Sequence, residues 1–183
     1  MLLRERLTTN LDAVWRWFEF QRDLIAKELN DSLKSLVGAA GEPRPIHLFR
    51  KGTTTIEVRD FFASQNEQLD LMVMLEIVAA TEGILRVNSL QRRKKKDHLS
   101  RRFRAVYKQA RQEARLKSGR LKIRLDKDIL EAIAEEGGNV SEFRGALNLR
   151  NWLAHGRYWA PKLGHNYTPE VVFDICTDLI RSL

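Results

Sequence analysis

The sequence predicts an all-α protein, an up-and-down helical bundle of five to six helices with a small β-hairpin excursion near 46–58. Three observations carry this. Apolar residues recur every three or four positions over long stretches, the period of a helix with one buried face. Caps, glycines and prolines fall between those stretches rather than inside them. The chain has 183 residues, enough to bury a core without a disulfide or metal, so residues 1–183 read as a single helical domain.

Residues 10–37 form the first predicted helix, with Leu11, Trp15, Phe18, Ile25, Leu29, Leu33 and Leu36 on one face. Thr9 or Asn10 can cap it and Gly38 can stop it. Pro43 and Pro45 exclude a helix in the loop that follows. The stretch IHLFRKGTTTIEV, rich in Thr and Val around Lys51-Gly52, suggests the hairpin or an extended arm. Residues 66–88 read as a second helix, apolar on more than one face and so central to a core or an interface. The run RRKKK at 92–96 interrupts it. A third helix over 98–117 presents Leu99, Phe103, Val106, Tyr107 and Ala110 inward. Asp126 can cap a short fourth helix that ends at Gly137-Gly138. Asn139 and Glu142 resemble a capping box opening a fifth, from 140 to about 153. Thr168-Pro169-Glu170 supplies a cap, a proline at the first position and an acid on the dipole for the last.

Composition excludes several classes. Apolar residues make up 43% and charged residues 31%, a soluble, globular balance. The longest apolar runs are too short to cross a bilayer, and the charged start, MLLRERLTTN, does not read as a secretory signal. The single cysteine, Cys176, forbids an internal disulfide and fits a reducing cytoplasm, where we expect the protein. It lies on the apolar face of the last helix and reads as a small buried hydrophobe. His47, His98, His155 and His165 show no metal-ligand spacing, and no phosphate-cradling glycine loop occurs. No cofactor or metal is expected.

The charge is uneven. The net charge is +8, but residues 86–124 hold 16 Arg or Lys against Asp97 and Glu113 alone. Such a stripe is the footprint of a polyanion binder, with nucleic acid the expected polyanion, although a solvated helix face or a disordered basic tract has the same composition. Arg92, Arg93, Lys94, Lys95, Lys96, Arg101 and Arg102 are its candidate RNA contacts. Aromatic residues do not interleave with the charges, so backbone contact is expected rather than base reading.

The segment Leu149-Arg150-Asn151-Trp152-Leu153-Ala154-His155-Gly156-Arg157-Tyr158-Trp159 sets Arg150, Asn151 and His155 in an apolar context. A histidine titrates near neutrality and can move protons. An arginine offers a fixed positive fork to charge growing on a phosphate. RNA carries its own nucleophile, the 2′-hydroxyl, so no metal-bound water is needed. If the helix ran through His155, Arg150 would lie about 140° around from it, while Asn151 and His155 would share a face. The two would then meet through a helix end or across two copies. Arg-x4-His alone is expected about 0.5 times by chance, and a second pair, Arg93 and His98, does occur in the charge run. Requiring Asn after the Arg lowers that expectation to roughly 0.02. The competing structural readings are a surface ion pair for Arg150 and a helix C-cap for His155.

Arg150-Asn151-x3-His155, late in a small helical domain and followed by an aromatic turn, resembles the HEPN superfamily, whose hallmark is Arg-x(4–6)-His with Asn often after the Arg. The resemblance is loose over the bundle and closer over 139–160. It implies a metal-independent endoribonuclease, a homodimer with two motifs forming one composite site, and a toxin or phage-defence component. Arg150 would stabilise the phosphate, His155 would be the acid or base, and Asn151 would orient one of them. An acidic residue on an earlier helix often supports such sites. Glu76 and Glu82 are candidates, as is Glu142 within the motif helix. One toxin branch carries a tyrosine two residues after the histidine that its antitoxin modifies. Here that position is Arg157, with Tyr158 one later, so antitoxin modification is not expected and Arg157 could add a phosphate contact. Trp152, Tyr158 and Trp159 could be interface anchors or intramolecular core. The expected partners are therefore an RNA substrate, a second copy of the chain, and an antitoxin or larger defence-complex subunit, with no membrane. The alternative is a non-catalytic nucleic-acid or nucleotide-binding or scaffold module. A DNA-binding regulator is disfavoured because no helix-turn-helix pattern is evident.

Overall fold

Helix formation begins where local chemistry satisfies the first free backbone N–H groups. The computed structural model describes residues 10–36, 49, 53–117, 119–155 and 166–183. Among these, all regular structure is helical, in six α-helices and a π-helical turn, and no strand occurs, an all-α fold. They are α1 Leu11–Leu36, α2 Thr55–Arg92, α3 His98–Leu116, α4 Glu131–Glu135, α5 Ser141–Ala154 and α6 Pro169–Arg181. A π-helical turn, Leu125–Leu130, runs directly into α4. No described helix is long and apolar enough to cross a membrane. The chain forms two compact units, Asp12–Val73 and one built chiefly from Met74–Leu183.

In the first unit, Val14, Phe18 and Ser32 of α1 are buried, while Trp17, Phe20, Leu24 and Leu36 stay exposed. The α2 portion buries Val58, Phe62, Leu69 and Val73. Phe49 meets Phe61 edge-on at 5.5 Å between ring centroids, and Phe61 meets Phe62 the same way at 5.3 Å. The expected hairpin is corrected here. Thr55–Val58, its second half, is helical, while 46–48 and 50–52 lie outside the described residues. The reason is a capping box. Thr54 N–H donates to Glu57 Oε2 at 2.7 Å, and Glu57 N–H donates back to Thr54 Oγ1 at 3.2 Å. These bonds hold the Glu57 carboxyl below its ordinary pKa. With Val58 and Phe62 one turn apart and buried, helix wins over the β preference of Thr and Val. So α2 starts well before residue 66.

In the second unit, Ile77, Val78 and Leu85 of α2 are buried, as are Phe103 of α3, Ile129 and Leu130 of the π turn, Phe143 of α5 and Val172 of α6. The π turn and α4 pack on α3, and α6 packs on α5. Cys176 is fully buried, and burial pushes its thiol up to about 11. Asp97 caps α3 by accepting from Ser100 N–H at 2.8 Å and Ser100 Oγ at 2.9 Å.

Two expected caps are displaced. Asp126 does not cap the fourth helix. Asp128 closes the π turn instead, accepting from Arg124 N–H at 2.6 Å. The turn is wide because Ile129 N–H reaches back to Arg124 O at 3.3 Å, five residues away. Asn139 takes Ser141 Oγ at 2.8 Å, an Asx-type turn two residues on, and Val140 occupies the cap position of α5. Gly137 ends α4 at φ 87°, and Gly138 N–H returns to Ile133 O at 3.0 Å, closing a Schellman motif. Thr168 caps α6 as expected, accepting from Val171 N–H.

Candidate functional site

The motif helix α5 buries Phe143, Ala146 and Leu149 along one side. Arg150 follows Leu149 immediately, so its stem leaves the edge of that buried side and its guanidinium reaches α2. There Arg150 Nη2 pairs with Glu82 Oε2. Arg150 Nη1 donates to Asn151 Oδ1 at 2.9 Å. The Arg150 side chain is 26% exposed and that of Glu82 17%, so the pair is largely withdrawn from water. Arg150 Nε is buried with no hydrogen-bond partner among the described residues. The other Glu82 oxygen, Oε1, lies 3.7 Å from Arg86 Nη2. Glu82 thus stands between two guanidinium groups.

His155 holds the C-cap position of α5, its N–H donating to Asn151 O at 3.1 Å. The helical ladder therefore carries through to His155, which is exposed, as is Asn151. Arg150 and His155 diverge around the helix, as its period requires, and Asn151 stands between them.

Of the three acidic candidates, the structure brings Glu82 to Arg150. Glu76 is exposed earlier on α2. Glu142 lies at the start of α5 near Tyr167, whose phenol is pushed up by burial and, secondly, by the Glu142 charge. Tyr167 covers Gly145 so closely that a Cβ there would lie 2.2 Å from its hydroxyl. Arg157, Tyr158 and Trp159 lie outside the described residues, and Trp152 is half-buried. Arg86 was missed in the sequence, although its i,i+4 spacing from Glu82 was a readable signal.

The candidate RNA contacts divide. Arg92 Nη2 donates to Leu183 O, and Arg92 Nη1 lies 3.4 Å from Asp97 Oδ1. Arg93 stacks over Tyr107 at 4.2 Å and donates to Leu90 O at 3.3 Å. Arg102 pairs with Glu135 at 3.2 Å and Glu136 at 3.1 Å. Lys94, Lys95, Lys96 and Arg101 are exposed. Among the described residues, no group of three or more His, Cys, Asp or Glu is placed to hold a metal ion.

Comparison with family models, curated proteins and solved structures finds no match to this chain.

Proposed function

We propose that the protein is an endoribonuclease of HEPN type that cleaves RNA without a metal. The observation that supports this is the Arg150 clasp. A guanidinium is oriented by Glu82 and by Asn151, and Asn151 stands one helical turn from an exposed histidine at a helix end. In this reading the 2′-hydroxyl attacks the adjacent phosphorus and loses its proton to a base. The 5′-oxygen leaves with a proton from an acid. The products are a 2′,3′-cyclic phosphate and a 5′-hydroxyl. His155 serves as acid or base, and Arg150 stabilises charge on the phosphate oxygens. The divergence of Arg150 and His155 around α5 favours a site completed by a second copy. A homodimer with a role as a toxin or phage-defence component, checked by an antitoxin or larger subunit, follows from the same reading.

One observation favours a second reading. Arg150 is already engaged by Glu82 and Asn151, as it would be in a non-catalytic binding or scaffold module.

The deciding experiment is cleavage of total tRNA and mixed single-stranded RNA in EDTA by the wild type, Arg150→Ala and His155→Ala. We expect cyclic-phosphate ends from the wild type and a loss of at least about 100-fold in each variant. Retained activity in both folded variants would sink the nuclease reading.

A further inference from the structure

Within the Met74–Leu183 unit, α3 and the π turn with α4 enclose a cleft of about 630 Å³. Its walls hold six cations and four carboxylates. Three of the four carboxylates are paired with arginines, and the fourth, Glu113, meets a neutral amide and keeps its charge. Asp128 is held by Arg124, Glu135 by Arg102, and Glu131 by Arg144 at 2.6 Å, while Glu113 accepts from Gln109 at 3.2 Å. Among the described residues, Lys117, Arg120 and Lys122 have no ion-pair partner, and all three are exposed.

The chain from Gly119 to Arg124 has no helical structure and follows the sequence Gly-Arg-Leu-Lys-Ile-Arg. Arg120, Lys122 and Arg124 line the cleft, whereas Leu121 and Ile123 do not. Arg124 has extended backbone, φ −90° and ψ 136°, and alternate residues in such backbone stand about 6.5 Å apart, comparable with the step between phosphates of a nucleic-acid strand. The segment is tied at its C-terminal end, and Gly119 N–H donates to Ala114 O at 2.9 Å at its start. Arg124 Nη2 meets Asp128 Oδ1 at 3.2 Å. Arg86 Nη1 donates to Ile123 O at 3.3 Å, and the same guanidinium faces Glu82. Ala110, Ala114 and Ala132 also line it, so part of its wall is made of small side chains.

We infer that this cleft is the seat of a single-stranded RNA backbone, with Lys117, Arg120 and Lys122 as its phosphate contacts. The inference rests on the RNA reading above and moves the principal contact away from the 92–96 turn. A continuous set of contacts, Ile123 O to Arg86, Glu82, Arg150 and Asn151, joins the back of the cleft to the motif.

The test is fluorescence anisotropy of a labelled, unstructured oligouridylate over a salt series, in a His155→Ala background that blocks turnover. Lys117→Ala/Arg120→Ala/Lys122→Ala is compared with Lys94→Ala/Lys95→Ala/Lys96→Ala, which removes the same charge. We expect the cleft variant alone to lose roughly tenfold or more in affinity and to flatten the salt slope by about 2. Thermal melting should be unchanged in both. Equal losses in the two variants, an unaffected cleft variant, absent wild-type binding, or equal affinity for duplex RNA would each overturn the inference. Cleavage is scored separately. Cleft-dependent binding by a protein that cuts nothing keeps this inference and removes the nuclease reading.

Discussion

Arg92 and Arg93 at the α2–α3 turn, with Arg104 reaching back to it from α3, and Lys117, Arg120 and Lys122 beyond α3, belong to one basic segment but use their charge differently. Arg92, Arg93 and Arg104 are committed to their own chain. Arg92 holds Leu183 O and Asp97, Arg93 holds Leu90 O and the Tyr107 ring, and Arg104 reaches Arg93 O at 3.1 Å and Lys95 O. The distal cations face an open cleft. Charge density alone therefore does not locate a polyanion site. A guanidinium bonded to backbone carbonyls keeps its charge but gives part of its five-donor fork, and its orientation, to its own chain.

The largest expected effect removes what both regions stand on. Phe103, 1% exposed, lies at the heart of α3, and Phe103→Ala should cost about 3–5 kcal/mol by leaving a cavity. Urea unfolding would show it, with the turn and the cleft lost in one transition. A smaller loss separates the two regions. Arg92→Ala should cost about 1–3 kcal/mol, because its 17% exposed side chain bonds a carbonyl that then loses its partner. Lys95→Ala, at an exposed position of the same turn, should stay within about 0.5 kcal/mol. Equal destabilisation by the two would erase the contrast.

The mildest effect is in acid. Hydrogen bonds from the backbone and side chain of Ser100 hold Asp97 below its ordinary pKa. The folded state then binds its proton less readily than the unfolded state. This contribution is complete above the ordinary carboxylate range and fades as pH falls through the lowered folded value. Asp97→Asn should therefore flatten the acid limb of a melting-temperature profile. An unchanged limb would remove Asp97 as its source.

Sequence periodicity was a good guide to the helices because burial follows it directly, as at Leu99, Phe103 and Tyr107. It failed at residue 54, where the Thr54–Glu57 box was readable but the Thr and Val content outweighed it. Choosing among the acidic candidates was beyond the sequence for a geometric reason. Glu76 and Glu82 lie about 120° apart around α2 and about 9 Å apart along it, and the rotation and height of α2 against α5 decide which meets Arg150. That rotation is set by core residues spread over several helices. The carbonyl partners of Arg92 and Arg104 were equally hidden, since every residue carries a carbonyl and sequence does not say which are close.

The anchors of the stretch from Gly119 to Arg124 make its two ends respond differently to a change in length. A residue inserted just after Gly119 falls ahead of the ties from Arg86 to Ile123 O and from Arg124 to Asp128, and leaves both in place. A residue inserted between Arg124 and Asp128 breaks the four-residue spacing through which Asp128 accepts from Arg124 N–H, and with it the start of the π turn. Insertions here would therefore sort by which side of Arg124 they enter, tolerated on one side and disruptive on the other.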